Sequence, residues 1–216
     1  MTEPIMLEPM QPIYHRQVGQ LLAYLLHGKF RHLTSMDGDE LALFFERWLE
    51  HIPDMPGNRR MLALQEGRVI GTIAIKWPAQ NGGSASIPRQ APPSWQNFRR
   101  FGKWNLFKMR MGLSLFDYKP QADECYIADV AVHPDYRGQG VGKMLLLWAE
   151  QIAQQEPGVD RLSLYVSGNN QRARKLYEQL GYSVRSHENS LVWHWLFNEK
   201  EWSYMWRRLA KKVPTK

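Results

Sequence analysis

The sequence predicts an α/β fold, and three observations carry that prediction. Residues 125–132 are a short apolar run of strand-favouring residues, cut off by His133-Pro134-Asp135 because proline cannot continue a ladder. A glycine-rich turn, Arg137-Gly138-Gln139-Gly140-Val141-Gly142-Lys143, then opens a helix in which Met144, Leu145, Leu147, Trp148 and Ile152 recur at helical spacing. Past the stop signal Glu156-Pro157-Gly158, Leu162, Leu164 and Val166 alternate with Arg161, Ser163 and Tyr165, the period of a strand.

The other elements follow in chain order. Residues 5–10 read as a first strand and residues 13–30 as an amphipathic helix with Val18, Leu21, Leu22, Leu25 and Leu26 as its stripe. Asp37 or Asp39 caps a second helix through Leu41, Phe44, Phe45, Trp48 and Leu49, ended by the prolines and glycine of residues 51–58. Residues 60–64 and 69–77 flank Gln65-Glu66-Gly67-Arg68 as a hairpin. Residues 78–93 are a linker rich in proline, glycine and serine. In residues 95–118, Trp95, Phe98, Phe101, Trp104 and Phe107 recur every third residue among Arg99, Arg100, Lys103, Lys108 and Arg110. Two readings stand for this segment. One is a helix with its rings on the core and its cations in water. The other is a basic aromatic lid, or a surface for membrane or an acidic partner, because strict three-residue spacing drifts round a helix and carries some rings off the core stripe. After the strand of residues 159–167, Gly168-Asn169-Asn170 turns the chain into a helix with Ala173, Leu176, Tyr177 and Leu180, closed by Gly181. Tyr182-Ser183-Val184 starts another strand, residues 186–189 read as a turn, residues 191–197 carry Trp193, His194 and Trp195, and residues 202–209 make the last strand. Residues 207–216 read as a basic, solvated tail.

Composition narrows the class. At 216 residues, 44% hydrophobic and 23% charged, the chain is expected to form one domain, 1–216, with residues 78–120 as a linker and basic aromatic insertion inside it. No apolar run is long enough to span a membrane and Met1-Thr2-Glu3-Pro4 has no signal-peptide pattern, so a cytoplasmic location is the expectation. The single cysteine, Cys125, excludes an internal disulfide and a cysteine-rich zinc site. A net charge of +7 favours anionic ligands, but charge alone gives little ground for nucleic acid.

The glycine turn is suited to an anion. It presents unpaired N–H groups at a helix start, where the dipole adds positive charge, and its glycines allow close approach to the main chain. Its spacing separates the phosphate-binding families. A Walker A loop needs four residues before Gly-Lys and then Ser or Thr, whereas only three separate Gly138 from Gly142 and Met144 follows Lys143. A dinucleotide fingerprint needs Gly-x-Gly-x-x-Gly, and the chain has Gly-x-Gly-x-Gly. Arg137-Gly138-Gln139-Gly140-Val141-Gly142 instead resembles the acyl-CoA pyrophosphate loop, Gln/Arg-x-x-Gly-x-Gly/Ala, of the GNAT superfamily of N-acetyltransferases. Residues 170–182, Asn-Gln-Arg-Ala-Arg-Lys-Leu-Tyr-Glu-Gln-Leu-Gly-Tyr, resemble that superfamily's second motif, in the same order and at the usual separation. The resemblance covers residues 124–184.

The resemblance implies a mixed, mostly antiparallel central sheet flanked by helices on both faces, with a splayed-strand cleft beside Val130, Ala131 and Val132. Acetyl-CoA would be the acyl-donor cosubstrate, without a metal. Its pantetheine would bond to the free main chain of Val130 and Val132 like an added strand. Its pyrophosphate would sit on Arg137, Gly138, Gln139, Gly140, Val141, Gly142 and Lys143. Lys143 adds a cation there or is simply solvated, and Asn170 contacts the cofactor arm or only caps its helix. Tyr177 matches the tyrosine that protonates the leaving thiolate, a role suited to a phenol of pKa about 10. Glu124 stands at the offset from Arg137 where several members place a base, though a solvated strand entry is the alternative. Asp129 is a rival base, and Tyr126 a candidate wall of the acceptor cleft. His133 is expected to be structural and Cys125 a packed thiol. The implied activity is transfer of an acetyl or short acyl group to an amine acceptor, small molecule or protein. The contrasting expectation is a non-catalytic acyl-CoA-binding module. Dimers are common in the superfamily, so a homodimer is also open.

Overall fold

The hairpin is the clearest local structure. β2 (Asn58–Gln65) and β3 (Arg68–Lys76) pair with Gln65 opposite Arg68, and both turn residues, Glu66 and Gly67, have positive φ, 51° and 72°. That is the primed turn whose twist matches two adjacent strands. Around it, in the computed structural model of the chain, lies a seven-stranded sheet; the structure describes residues 3–30, 34–51, 57–78, 98, 100–115, 118–188 and 201–210. The other strands are β1 (Met6–Pro9), β4 (Glu124–Val132), β5 (Arg161–Ser167), β6 (Ser183–Glu188) and β7 (Trp202–Arg208), in the spatial order β1-β2-β3-β4-β5-β7-β6. Among the described residues, only the pair β4–β5 is parallel; the other pairs are antiparallel.

Helices cover both faces. On one face lie α1 (His15–Phe30), α2 (Gly38–Leu49) and α3 (Lys103–Leu115), whose side chains Val18, Leu22, Leu41, Phe44, Phe45 and Met109 close a core on Leu62, Leu64 and Ala131. Asp37 caps α2 and, with Glu40, forms a reciprocal capping box. On the other face, α4 (Val141–Ala153) and α5 (Gln171–Gln179) bury Leu145, Leu146, Ala149 and Tyr177 against Ile73, Ile75, Cys125, Ile127, Leu162 and Leu164.

The aromatic segment divides as its spacing predicts. Phe98 and Phe101 are buried against Phe44, with ring centroids 5.3 and 5.8 Å away. Trp104 and Phe107 are exposed and stack on each other at 5.6 Å, with the Lys108 ammonium over the Trp104 ring. The linker of residues 78–93 (past Pro78), Trp95, Arg99, residues 191–197 and residues 211–216 lie outside the described residues. Two expectations are corrected. Residues 186–188 are not a turn: β6 runs to Glu188 because Ser186 and His187 pair with Tyr204 and Ser203 of β7. Nor does the solvated tail begin at Arg207. That residue lies in β7, and its guanidinium pairs with Glu150 of α4 and donates to the Leu180 carbonyl after α5 (2.6 Å), tying three elements together.

The close crossing of α1 and α2 depends on Gly19. A Cβ built there would lie 2.8 Å from both the Ala42 carbonyl oxygen and the Glu46 nitrogen, backbone atoms that cannot swing away. Gly19→Ala is therefore expected to push the helices apart and lower stability by about 1–3 kcal/mol despite alanine's better helix propensity. Urea denaturation with a lower midpoint and unchanged slope would show it.

Candidate active site

The site begins where two parallel strands part. β4 pairs with β5 only from Glu124↔Arg161 to Ile127↔Leu164, after which β4 continues along β3 to Val132 and β5 continues along β7 to Ser167. The His133 N–H donates to the Ile70 carbonyl on β3 (2.8 Å). Alternation along an antiparallel strand then turns the main-chain groups of Val130 and Val132 away from β3, into the gap. The gap is a wedge lined by main-chain donors and acceptors, and the Nε of Arg137 donates to the Val132 carbonyl at 3.3 Å.

At the wide end of this wedge the chain makes the glycine turn. Pro134–Tyr136 forms a single 3-10 turn, with the His133 ring nitrogen accepting the Asp135 N–H (3.4 Å) and its ring contacting Tyr24 and Tyr136. His133 is thus packed into the turn. Gly138 and Gly140 have φ of 87° and 85°, conformations that a side chain would strain. Gly140 caps α4 without a side-chain bond, and the first intrahelical bond is from Met144 N–H to the Gly140 carbonyl. The N–H groups of Val141, Gly142 and Lys143 consequently point ahead of the helix, with its dipole behind them. Gly142 lets α4 approach α5: a Cβ there would lie 3.3 Å from Leu176 Cδ2. Arg137, Gln139 and Lys143 are exposed, and the Gln139 amide donates to the Asp135 carbonyl (2.9 Å). Sequence reasoning missed a further cation here. Nη2 of the exposed Arg172, on the first turn of α5, lies 3.4 Å from the Cβ position of Gly138. Asn170 accepts the Ala173 N–H (3.2 Å) and so caps α5.

Glu124 lies at the narrow end, fully buried. Its carboxylate accepts from Tyr204 Oη (2.6 Å), Tyr118 Oη (3.0 and 3.2 Å), the Gln121 N–H (2.8 Å) and Ser163 Oγ. Four donors offset the cost of burying the charge, so the solvated strand entry is set aside. Tyr118, Tyr126, Tyr165 and Tyr204 form one aromatic cluster over it, with ring centroids 4.5 Å apart for Tyr118–Tyr126 and 5.2 Å for Tyr165–Tyr204. Burial, then the nearby carboxylate of Glu124, pushes the Tyr118 phenol well up; burial leads for the other three as well. The rival base Asp129 is held by Arg60 in a two-pronged ion pair (2.7 and 2.6 Å), and Arg60 also donates to Thr72 (3.1 Å).

Tyr177 belongs to the opposite face. It is buried in the α4–α5 core with its ring 5.8 Å from that of Tyr182. Cys125 and Ile127 share that core, so strand alternation places their neighbours Glu124 and Tyr126 on the other face. The two candidate proton-transfer residues therefore lie on opposite faces of the sheet. Cys125 is fully buried, and burial raises its thiol far above the ordinary range, which suits a packed thiol. Among the described residues no group of three or more His, Cys, Asp or Glu could hold a metal ion, and no helix is long and apolar enough to cross a membrane.

Sequence reasoning also missed Tyr118, Ser163 and Tyr204. They approach Glu124 from three separate segments, and only the parity of Ser163 between Leu162 and Leu164 hinted at a polar face.

Comparison with known proteins bears on the family and the fold. Residues 23–182 match the model of the acetyltransferase (GNAT) family. The chain is 44% identical over 59 residues to an uncharacterized N-acetyltransferase, YycN, of Bacillus subtilis (27% of this chain, 37% of that protein). It is 34% identical over 121 residues to a mycothiol acetyltransferase of Corynebacterium aurimucosum (56% of this chain, 33% of that protein). In each case it spans well under half the relative's length. Among solved structures, Arabidopsis thaliana NAA60 in complex with acetyl-CoA superposes with a TM-score of 0.60 at 13% identity, covering 95% of this chain and 99% of that one. The ribosomal-protein-S18-alanine N-acetyltransferase of Escherichia coli gives 0.54 at 14% identity, covering 99% of each chain. At these identities the structures show a shared fold.

Burial pushes the Tyr177 phenol up to about 12, from an ordinary 10.0. Unfolded chain releases this proton near pH 10, whereas folded chain holds it to about 12. The residue's contribution to stability is thus intact below pH 10 and falls away as pH rises through about 12, by roughly 2–3 kcal/mol. Tyr177→Phe is expected to lose correspondingly less stability than the wild type in urea denaturations between about pH 9 and about pH 11.5.

Proposed function

The chain belongs to the GNAT acetyltransferase family, and from that premise we propose that it transfers an acetyl or other short acyl group from acetyl-CoA to an amine by direct attack. The observation that carries this reading is the parting of β4 from β5 beside the start of α4, whose N-cap Gly140 makes no side-chain bond. The residues there suit the donor. Val130 and Val132 turn main-chain groups into the gap, where a pantetheine arm with two amides would complete a strand-like pairing. The glycine turn supplies N–H groups, a helix dipole and the cations Arg137, Lys143 and Arg172 for a pyrophosphate. With its side chain already capping α5, Asn170 would contribute by fixing that helix start. Bound there, the donor supplies an acyl group activated as a thioester.

Two proton movements fall to the protein. An ammonium acceptor must lose a proton before its nitrogen has a lone pair for attack, and the departing thiolate must gain one. Tyr177 is assigned the second: its raised pKa keeps the phenol protonated across the neutral range. Glu124 is assigned the first, as the carboxylate at the narrow end of the wedge. Asp129 is less suited, because proton uptake there would break its ion pair with Arg60. The acceptor approaches from the tyrosine face, and N–H groups facing the gap would polarise the thioester carbonyl.

Calorimetric titration with acetyl-CoA, followed by a thiol-release screen over amine classes, tests the reading. Saturable, one-to-one binding and release with at least one amine are expected. Arg137→Ala and Arg172→Ala should each weaken acetyl-CoA binding about tenfold or more, the loss of a charge-assisted hydrogen bond. Tyr177→Phe should keep the affinity and lose turnover. Absence of binding by the wild type would overturn the proposal.

A further inference from the structure

We infer that Glu124 works at one remove, and that the hydroxyl of Tyr204 relays the proton from the acceptor amine to it. The inference rests on the acyl-transfer reading and adds a residue from β7, outside both sequence motifs. The Glu124 carboxylate is fully buried and already accepts from four donors, so an amine has no direct route to it. Of those donors, the Gln121 N–H belongs to the main chain and cannot shuttle a proton, and Ser163 is fully buried. Tyr118 and Tyr204 alone combine a hydroxyl on Glu124 with partial exposure. Tyr204 makes the shorter bond, 2.6 Å against 3.0 Å. It also stands opposite Tyr165 on β5, one residue past the last β4–β5 pair at Ile127↔Leu164, so its ring reaches from the opening of the wedge back to Glu124.

The transfer balances without a further reactant. The ammonium N–H bond breaks and its proton goes to Tyr204 Oη, while the phenolic proton passes to Glu124 Oε1. The nitrogen keeps the electron pair it needs for attack, and the carboxylate becomes a carboxylic acid. A phenol raised by burial, as Tyr204 is, stays neutral near pH 7 and so retains a proton to hand on. The groups around the pair are Tyr126 on β4, Arg161 and Tyr165 on β5, Glu188 on β6 and Tyr118 beyond α3. Arg161 is engaged by Asp123 (3.0 Å) and Gln121, and Glu188 accepts from Tyr165 (2.5 Å). Lys76 of β3 stands opposite Tyr126.

The test is the pH profile of thiol release with an amine found in the screen. At neutral pH, Tyr204→Phe is expected to lower kcat at least about tenfold with unchanged acetyl-CoA affinity. The deficit should shrink as pH approaches the amine's own pKa of about 10, where the acceptor arrives already deprotonated. Glu124→Gln should show the same profile, and combining the two should add little, as for groups that act as one unit. A loss that is uniform across pH, no loss, or a pH-dependent loss confined to Tyr118→Phe would overturn the assignment of Tyr204. A wild-type protein that binds acetyl-CoA but releases no thiol with any amine would count against acyl transfer instead. The pair is then read in the free protein with carbon-13-labelled tyrosine, the Tyr204 signal being identified by its loss in Tyr204→Phe. That signal should shift between wild type and Glu124→Gln, and one that does not move would overturn the coupling.

Discussion

Strand β4 has two neighbours and parts from one of them part-way along. It is bonded to β5 over residues 124–127 and to β3 over residues 126–132, and its parallel junction with β5 ends where those ranges overlap. Parallel strands need a crossover between them, and here the crossover is the glycine turn with α4. The turn that must reverse the chain is thus the turn that presents N–H groups at the mouth of the split. Opening of the sheet and placement of the anion site are one constraint. Gly138, Gly140 and Gly142 satisfy it, two by backbone conformation and the third by letting α5 close in.

The two faces of the opening differ in chemistry. The α4–α5 face is apolar around Tyr177, so that phenol is held neutral by desolvation. The other face carries a buried carboxylate under four tyrosines. A charge in such a place persists only if its hydrogen bonds are met, and all four donors to Glu124 lie at or beyond the narrow end of the wedge. The polar network also braces that end, linking β4, β5, β7 and the segment after α3. Next to it, Arg60 and Asp129 join β2 to β4 across β3 in the same way.

Among the described residues, the chain between β3 and β4 is held into this arrangement at two places. Phe98 and Phe101 pack in the α2 core, and Tyr118 donates to Glu124. Between those anchors, α3 buries Leu106 and Met109 while Trp104 and Phe107 stay in solvent. The three-residue spacing explains this: on a helix of 3.6 residues per turn Trp104 and Phe107 lie about 60° apart and share the exposed face, while Leu106 and Met109, also three apart, share the buried one.

Local chemistry in the sequence determined the glycine turn, the 66–67 hairpin turn, the Asp37 or Asp39 cap, the helices at Gly181 and Gly158, and the alternation of β5, because each depends on residues a few positions apart. It placed β4 and β5 but not their register, and so not the residue at which they part. It singled out Glu124 without its donors, which come from positions 118, 121, 163 and 204. It left Asp129 open as a base, because the partner that engages it, Arg60, is 69 positions away. It read Arg207 as tail because its partners, Glu150 and Leu180, lie on other elements. Main-chain turns and helix caps are set by neighbours in the chain, whereas burial and hydrogen-bond partnership are set by neighbours in space. Only the packed sheet, in this one strand order, decided which hydroxyls surround the carboxylate.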